Sequence, residues 1–589
     1  MAFAFAGGAG GGVAAEPLLT ARFFRQVLSG RWFMLFACLL IMSSSGATYA
    51  FGIYSRELRS AMGYDQQAVA TLAFFKDLGA NLGVHAGLLN EVAPPWLLLA
   101  AGAAMNLAGY LMVYLSLAGA GRAPRPPPPV WLMCAYVCAG ANSQTFVATG
   151  AMVACVRNFP GGSRGALLGL LKGYAGLSSA ILAQLYLAIY GGADASSLVL
   201  LIAWLPAAVS AAFLATVRVI PSRGRSSGPG RGGGGSRDRN RDDDVFICLL
   251  YVSVALAAYL LVMIVAQKQT IFSRAGYAAS AAGLLLLLVL PLAVVFRQEY
   301  RENNELDEEP LLAPPPTTAV TVADKTAAAL PTASPRHGGS WLSRTFSPPA
   351  HGEDYTIPQA LVSVDMLILF AAVACGTGGT LAAIDNMGQI GQSLGYPPKS
   401  VDAFVSLISI WNYAGRVAAG YASEALVSSR RGVPRPAMIT AVLLLSCAGH
   451  LLIAAGAPWG TLYAASVLVG FCFGAQWPLL FAVVSELFGL RRYATLCNIA
   501  AAASPVGSYL LNVLVAGRLY DAEAARQHGG ALPAGGGDDK TCMGVDCFGR
   551  SFLIIAAATA GGAAVSLVLV WRTRGFYRGD IYAKFRDVT

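Results

Sequence analysis

The chain has 589 residues, 56% of them hydrophobic and only 12% charged, against roughly 25% charged in an average soluble domain. Its net charge of +10 comes from Lys and Arg set between apolar runs and not gathered on one basic face, so nucleic acid is excluded as the partner that basicity would imply. Gly-x-Ser-x-Gly, His-Glu-x-x-His and phosphate-loop motifs are absent and the five histidines are scattered, so no catalytic residue, metal or cofactor is expected.

The elements, in chain order, begin with a polar tail at 1–31 that carries Arg22, Arg25 and Arg31 and lacks a cleavable signal pattern. Trp32–Phe51 then reads as an uncleaved first membrane helix, and residues 32–218 hold six long apolar segments. Each run is near the roughly 20 residues that cross a bilayer as helix. Continuous apolarity excludes a barrel, in which lipid-facing and lumen-facing residues alternate.

In the second helix Asp77, Asn81 and His85 recur every four residues on one face, while Gly79, Gly83 and Gly87 form a small-residue stripe for packing. Lys76 and Asp77 either neutralise each other or face a cavity. His85, which titrates near neutrality, is a packing residue or a proton-coupling group. The fourth helix contributes Asn142 and Gln144 as interhelical or solute contacts. The fifth, from Arg164, repeats the glycine stripe at Gly165, Gly169 and Gly173 and adds Gln184 and Lys172, a cavity cation or an interfacial anchor.

Residues 219–244 are expected to be a disordered basic linker and 245–296 an inserted helix pair. Residues 297–359 form a second polar loop, in which Asp307-Glu-Glu-Pro-Leu-Leu312 has the form of an adaptor-read sorting signal or is a plain solvated acidic run. Residues 360–571 hold six more apolar segments and 572–589 a tail. Asp385, Asn386 and Gln389 end the ninth helix as interhelical or solute contacts. The tenth, Ser409 to Glu424, places Arg416 near its middle with Asn412 one turn earlier. Charges inside a bilayer cost roughly 2.5–3.5 kcal/mol each, so Arg416 faces an anionic solute or belongs to a structural cluster with Glu424 or neighbouring carbonyls, and Asn412 orients the guanidinium or contacts the solute. Gln476, Asn498 and Ser504 are lesser candidates, and Pro505 predicts a bend in the thirteenth helix. Cys542 and Cys547 lie in a polar loop and are candidates for a disulfide.

The two sets of six segments keep nearly the same spacing, which is how many secondary transporters are built around a midplane site. The fold expected is all-α integral membrane, two six-helix bundles with two extra helices between them, about 14 transmembrane helices in all. Most of the 41 Lys and Arg fall in loops on the side of the termini, which places the termini in the cytoplasm. The function expected is secondary active or facilitative transport of a small polar or anionic solute, monocarboxylate-like organic acids included, with a proton as candidate co-substrate. The alternative from another class is a non-transporting receptor or scaffold that kept the fold.

Three strings carry a family resemblance. Arg31–Tyr54, with Met-Ser-Ser-Ser-Gly-Ala-Thr-Tyr-Ala-Phe-Gly-Ile-Tyr, is one; the others are Gly79–Glu91 followed by Pro94-Pro95-Trp96, and Arg164–Ser178. They resemble the plant nodulin-like, nuclear-fusion-defective-like proteins of the major facilitator superfamily. The resemblance implies two bundles that rock about a central site, in a plasma or vacuolar membrane. It also implies a gating motif after the second helix of each bundle. Gly87-Leu-Leu-Asn-Glu91 and Gly420-Tyr-Ala-Ser-Glu424 carry Glu where that motif has Asp, and Val92–Trp96 supplies no basic residue. A salt-bridge latch is therefore not expected in the first half, whereas Arg430, Arg431 and Arg435 can serve in the second. The tenth helix is also similar to that of monocarboxylate transporters, in which an Asp stands one turn before the Arg; here that position is Asn412.

Overall fold

The computed structural model describes residues 21–64, 66–120, 128–159, 163–191, 195–220, 234–270, 272–308, 345–429, 432–456, 460–527, 542–579 and 581, all helical or irregular. The Glu309–Leu312 part of the sorting signal, Arg430 and Arg431 lie outside the described residues.

The chain opens with α1 (Ala21–Ser29) and α2 (Arg31–Ser44), bent by 54° from each other. The first span was expected to run unbroken to Phe51. Instead it stops at Ser44, passes through a 3-10 turn (Ala47–Ala50) and resumes as α3 (Phe51–Met62). Ser43, Ser44 and Ser45 turn their hydroxyls onto the carbonyls of Leu40, Ile41 and Met42. Such back-bonds compete with helix continuation.

The second span is also broken, into α4 (Gln66–Asn81) and α5 (Val84–Val92). The Asn142 amide donates 2.8 Å bonds to the carbonyls of both Gly79 and Leu82. It thereby satisfies backbone acceptors that the break releases inside an apolar environment.

There follow α6 (Pro95–Ala120), α7 (Val130–Asn158), α8 (Arg164–Tyr190) and the shorter α9 (Ala195–Ala212). The inserted pair is α10 (Gly234–Gln269) and α11 (Arg274–Glu308). Both helices extend into the stretches expected to be disordered. Asp242 of α10 pairs with Arg31 at 2.7 Å, and Glu302 of α11 accepts from the Trp32 indole at 3.3 Å. These partners order polar chain that could not order itself.

The insert is braced on two sides. Gln267 and Gln184 exchange amide bonds of 2.8 and 2.9 Å, and the hydroxyls of Tyr413 and Tyr421 reach Ser253 Oγ and the Phe246 carbonyl.

The second part comprises α12 (Ile357–Val362), α13 (Val364–Ser393), α14 (Pro398–Val427), α15 (Arg435–Ala455) and α16 (Thr461–Leu487). The thirteenth span breaks into α17 (Tyr493–Ala501), α18 (Ala503–Ser508), a π-helical turn (Tyr509–Gly517) and α19 (Arg518–Gln527). The breaks flank Pro505, which has no N–H to continue the ladder. After them comes α20 (Asp546–Arg578), preceded by a disulfide between Cys542 and Cys547. The loop before α12 is held rather than free: Asp354 caps the amides of Leu490 and Arg491 at 3.1 and 3.0 Å.

Nine helices among the described residues are long and apolar enough to cross a membrane, ten if α1 and α2 count as one bent span. Beyond those ten, the remaining expected spans are the second, broken into α4 and α5, the short α9, and α7 and α14, whose apolarity is diluted by Asn142 and Gln144 and by Asn412 and Arg416.

Helices α14 and α16 pack at backbone contact. A Cβ on Gly474 would lie 2.0 Å from the Asn412 carbonyl oxygen, and one on Gly415 2.0 Å from that of Phe471. Backbone cannot yield at that distance, so Gly474→Leu is expected to push α14 outward and carry Asn412 and Arg416 with it. The expected result is a protein that still inserts but melts lower by roughly 2–3 kcal/mol of overpacking, read as a drop in thermal midpoint in detergent. An unchanged midpoint would refute the contact.

Candidate functional site

Two contacts join the first and second parts of the chain at the ends of α5 and α14. In the first, Glu91 at the end of α5 accepts from Arg492 Nη1 at 2.8 Å and from Thr495 Oγ1 at 3.0 Å. Gly87, one turn earlier, lets α5 approach so closely that a Cβ there would lie 2.6 Å from the Thr495 Cα. In the second, Glu424 at the end of α14 accepts from the Gly165 backbone N–H at 3.0 Å. That N–H opens α8, so the carboxylate also meets the positive end of a helix dipole.

Glu424 is anchored by Arg435, which is fully buried and spends its fork on three groups: Glu424 at 2.7 Å, Glu486 at 2.7 Å and the Ser423 hydroxyl. Tyr577 donates to the second oxygen of Glu486 at 2.8 Å. Gly420 and Gly165 lie in backbone contact across this seam.

The two contacts are the same device used twice. An acid that ends the second helix of one part meets the start of a helix in the other. The expectation of no latch in the first half is therefore corrected. The base comes not from the loop after the motif but from Arg492, 401 positions away in sequence. In the second half Glu424 pairs with Arg435, one of the three arginines named there. The option that Glu424 partners Arg416 is not realised, because Arg435 and Gly165 occupy that carboxylate.

About 10–12 Å below those contacts, seven residues along α8 from Gly165 and eight back along α14 from Glu424 at 1.5 Å each, lies a cavity of about 130 Å³. Lys172 and Arg416 line it. Arg416 donates from Nε to Asn412 Oδ1 at 2.9 Å and from Nη1 to the Lys172 carbonyl at 2.8 Å. Lys172 Nζ stands 4.5 Å from the ring centroid of Phe481 and 5.8 Å from that of Trp477, a cation–π arrangement on two stacked rings. Asp77, Asn81, Thr149, Asn498 and Ser504 add polar wall, and Met42, Met152, Leu381 and Phe473 add apolar wall. Gln144 also lines the cavity and accepts from Thr48 at 3.1 Å.

The other candidates separate from this cavity. Asn142 is consumed by the break in the second span and by His85, whose Nε2 lies 2.7 Å from Asn142 Oδ1; both brace α7 against α4 and α5 and stand outside the wall. Lys76 pairs with Asp77 at 2.8 Å. Asp385, expected to touch solute, is instead bonded by Asn512 at 3.1 Å and sits within electrostatic reach of Asp77 and Lys76. It belongs to a polar cluster beside the cavity. Asn412 acts as the orienter of Arg416 and is itself outside the wall.

Trp477, Phe481 and Arg492 are the residues the sequence reading passed over. Trp477 and Phe481 look like ordinary apolar helix positions until α16 is placed opposite Lys172. Arg492 looks like one more loop charge until α17 meets α5.

Family models match in two blocks, Nodulin-like over residues 31–296 and NFD4 C-terminal domain over residues 353–578. Protein NUCLEAR FUSION DEFECTIVE 4 of Arabidopsis thaliana is 26% identical over 551 residues, covering 93% of this chain and 89% of that protein. The Probable transporter MCH1 of Yarrowia lipolytica is 27% identical over 188 residues, 30% of this chain and 36% of that protein. Among solved structures, the major facilitator superfamily proton:xylose symporter XylE superimposes with a TM-score of 0.50 at 13% identity, over 92% of this chain and 95% of that one. A double-tryptophan mutant of XylE gives 0.53 at 14% identity, over 94% and 96%. The shared feature is the fold.

Proposed function

Because the chain belongs to the nodulin-like family of the major facilitator superfamily, we propose that it is a secondary active or facilitative transporter of a small organic anion, working by alternating access between two six-helix bundles. One observation carries the reading: Arg416 and Lys172, from helices of the two parts of the chain, line one cavity. A solute bound there would touch both parts at once, so its binding energy differs between the two orientations of the bundles, which is what lets a ligand drive a conformational change.

Arg416, held by Asn412, would take a carboxylate in its planar fork. Lys172 would add the second charge, Gln144 and Ser504 would supply hydrogen bonds, and Trp477 and Phe481 would cover the carbon skeleton. The Lys76, Asp77 and Asp385 cluster, with His85 behind it, is the place from which a co-transported proton would act. The charge bias of the loops supports cytoplasmic termini, and with them a cytoplasmic location for the Glu91–Arg492 and Glu424–Gly165 seal, in a plasma or vacuolar membrane. The Asp307–Leu312 segment would be read there by adaptors.

The test is uptake of radiolabelled organic acids, amino acids and sugars into proteoliposomes. Saturable uptake of an acid supports the reading, and saturable uptake of neutral sugars alone would reject it.

The seal makes a separate prediction. Glu91→Gln removes a half-buried ion pair that contributes about 1 kcal/mol to the closed state, so the cytoplasm-open population should rise roughly fivefold. A membrane-impermeant maleimide added from that side should label Lys172→Cys correspondingly faster in the Glu91→Gln background. Equal rates would show that the pair does not hold the gate.

A further inference from the structure

Among the described residues none of α10 or α11 lines the cavity, yet the polar side chains of this inserted pair reach both helices that carry its cations. The ties to the first part follow α8 from end to end. Asp242 pairs with Arg31 at 2.7 Å, and Asp243 accepts from the hydroxyl of Ser163, which caps the start of α8. Gln184, twenty residues on from Arg164 and so about 30 Å away at 1.5 Å each, exchanges amide bonds with Gln267. The Phe246 ring packs on Trp32 and Phe159 at centroid distances of 5.8 and 5.7 Å, and Glu302 of α11 accepts from the Trp32 indole.

Against the second part the insert meets two hydroxyls of α14. Tyr413 donates to Ser253 Oγ at 2.8 Å and Tyr421 to the Phe246 carbonyl at 2.6 Å. The donors are eight residues apart and the acceptors seven, about two turns in each helix, so α10 and α14 run antiparallel over that length. Tyr421 stands three residues before Glu424 and Tyr413 three before Arg416. The bonds therefore cover the stretch between the Glu424–Gly165 contact and the cavity. The start of α8 is shared as well: Ser163 bonds Asp243 of the insert while Gly165, two residues on, bonds Glu424 of the second part.

Resting on the proposal that the two parts rock about the cavity, we infer that the inserted pair is a strap. It travels with the first part and, through the hydroxyls of Tyr413 and Tyr421, favours the orientation in which Glu424 meets Gly165. Parting α14 from the start of α8 pulls both hydroxyls off α10. The ties to the first part include an ion pair and extend along the whole of α8, so the tyrosine bonds are the ones that give. A hydroxyl withdrawn from its acceptor inside an apolar layer stays unsatisfied, which adds to the cost of leaving this orientation. The strap thus sets how often the cavity opens on that side without touching solute.

The experiment places the full chain carrying Ala148→Cys, a position in the cavity wall, in sealed vesicles of both orientations. A membrane-impermeant maleimide is added, with the chain lacking that cysteine as blank. Tyr413→Phe combined with Tyr421→Phe keeps both rings and removes only the hydroxyls. It should shift the balance between the two orientations roughly tenfold, as expected for the loss of two neutral hydrogen bonds. Labelling should rise from the side of the Glu424–Gly165 contact and fall from the opposite side, with each single variant in between. A protein that is only loosened labels faster from both sides.

Rates unchanged from both sides, or raised from both, would overturn the strap. Glu91→Gln separates the strap from the rocking motion itself. If that variant shifts labelling between the sides and the tyrosine pair does not, alternating access stands and the strap falls. If Ala148→Cys is reached from one side only in every variant, both fall.

Discussion

Replacing Arg435 with methionine should be the most damaging single change in this protein. Arg435 is completely buried, and its removal takes from Glu424 and Glu486 the one guanidinium that bonds both carboxylates. Breaking a buried ion pair from one side costs about 3–5 kcal/mol, because the remaining charge stays desolvated. The expected readout is a protein recovered at low yield with a thermal midpoint well below that of wild type. The cause is separable from lost packing: adding Glu424→Gln and Glu486→Gln to the same chain removes the stranded charges and should restore most of the stability. No recovery in the triple variant would mean that Arg435 acts through volume and not through charge.

Arg416→Ala should abolish uptake while the protein still folds and reaches the membrane. The guanidinium makes its own local bonds to Asn412 and to the Lys172 carbonyl, so some stability is lost, about 1–2 kcal/mol for hydrogen bonds of this kind. The loss of a buried charge facing an anion is larger, about 2–5 kcal/mol of solute affinity, or at least thirtyfold in uptake at low solute concentration. Arg416→Lys should not rescue it, since a single ammonium cannot hold Asn412, the carbonyl and a carboxylate in one plane. Uptake at the wild-type rate in proteoliposomes would take Arg416 out of the site.

Much of this was legible from residue order. Long apolar runs identify membrane helices because backbone in lipid has few alternatives, and a charge inside such a run must have a partner or a wet cavity. That logic finds Arg416, Lys172 and Asp77, all of which line the cavity. It also finds Asn142, His85 and Asp385, each of which has a hydrogen-bond partner outside the cavity wall. Type and depth alone cannot separate the two groups, because a polar side chain bonded to a neighbouring carbonyl and one facing a solute look the same in one dimension.

The sequence by itself therefore determined the class of molecule, the positions of most spans, the two acids that end the second helix of each part and the residues able to carry charge within the bilayer. Only the tertiary structure decided which of those charges meet. Glu91 finds Arg492, Glu424 finds Arg435 and the opening of α8, and Lys172 finds Trp477 and Phe481, each across a long sequence separation or between different helices. Local periodicity reports which face of a helix is polar, but the identity of the opposing residue depends on how two distant segments pack, and no short-range pattern encodes that. The break at Leu82 was set in the same way, by Asn142 of α7, which takes up the Gly79 and Leu82 carbonyls that a continuous helix would have satisfied itself.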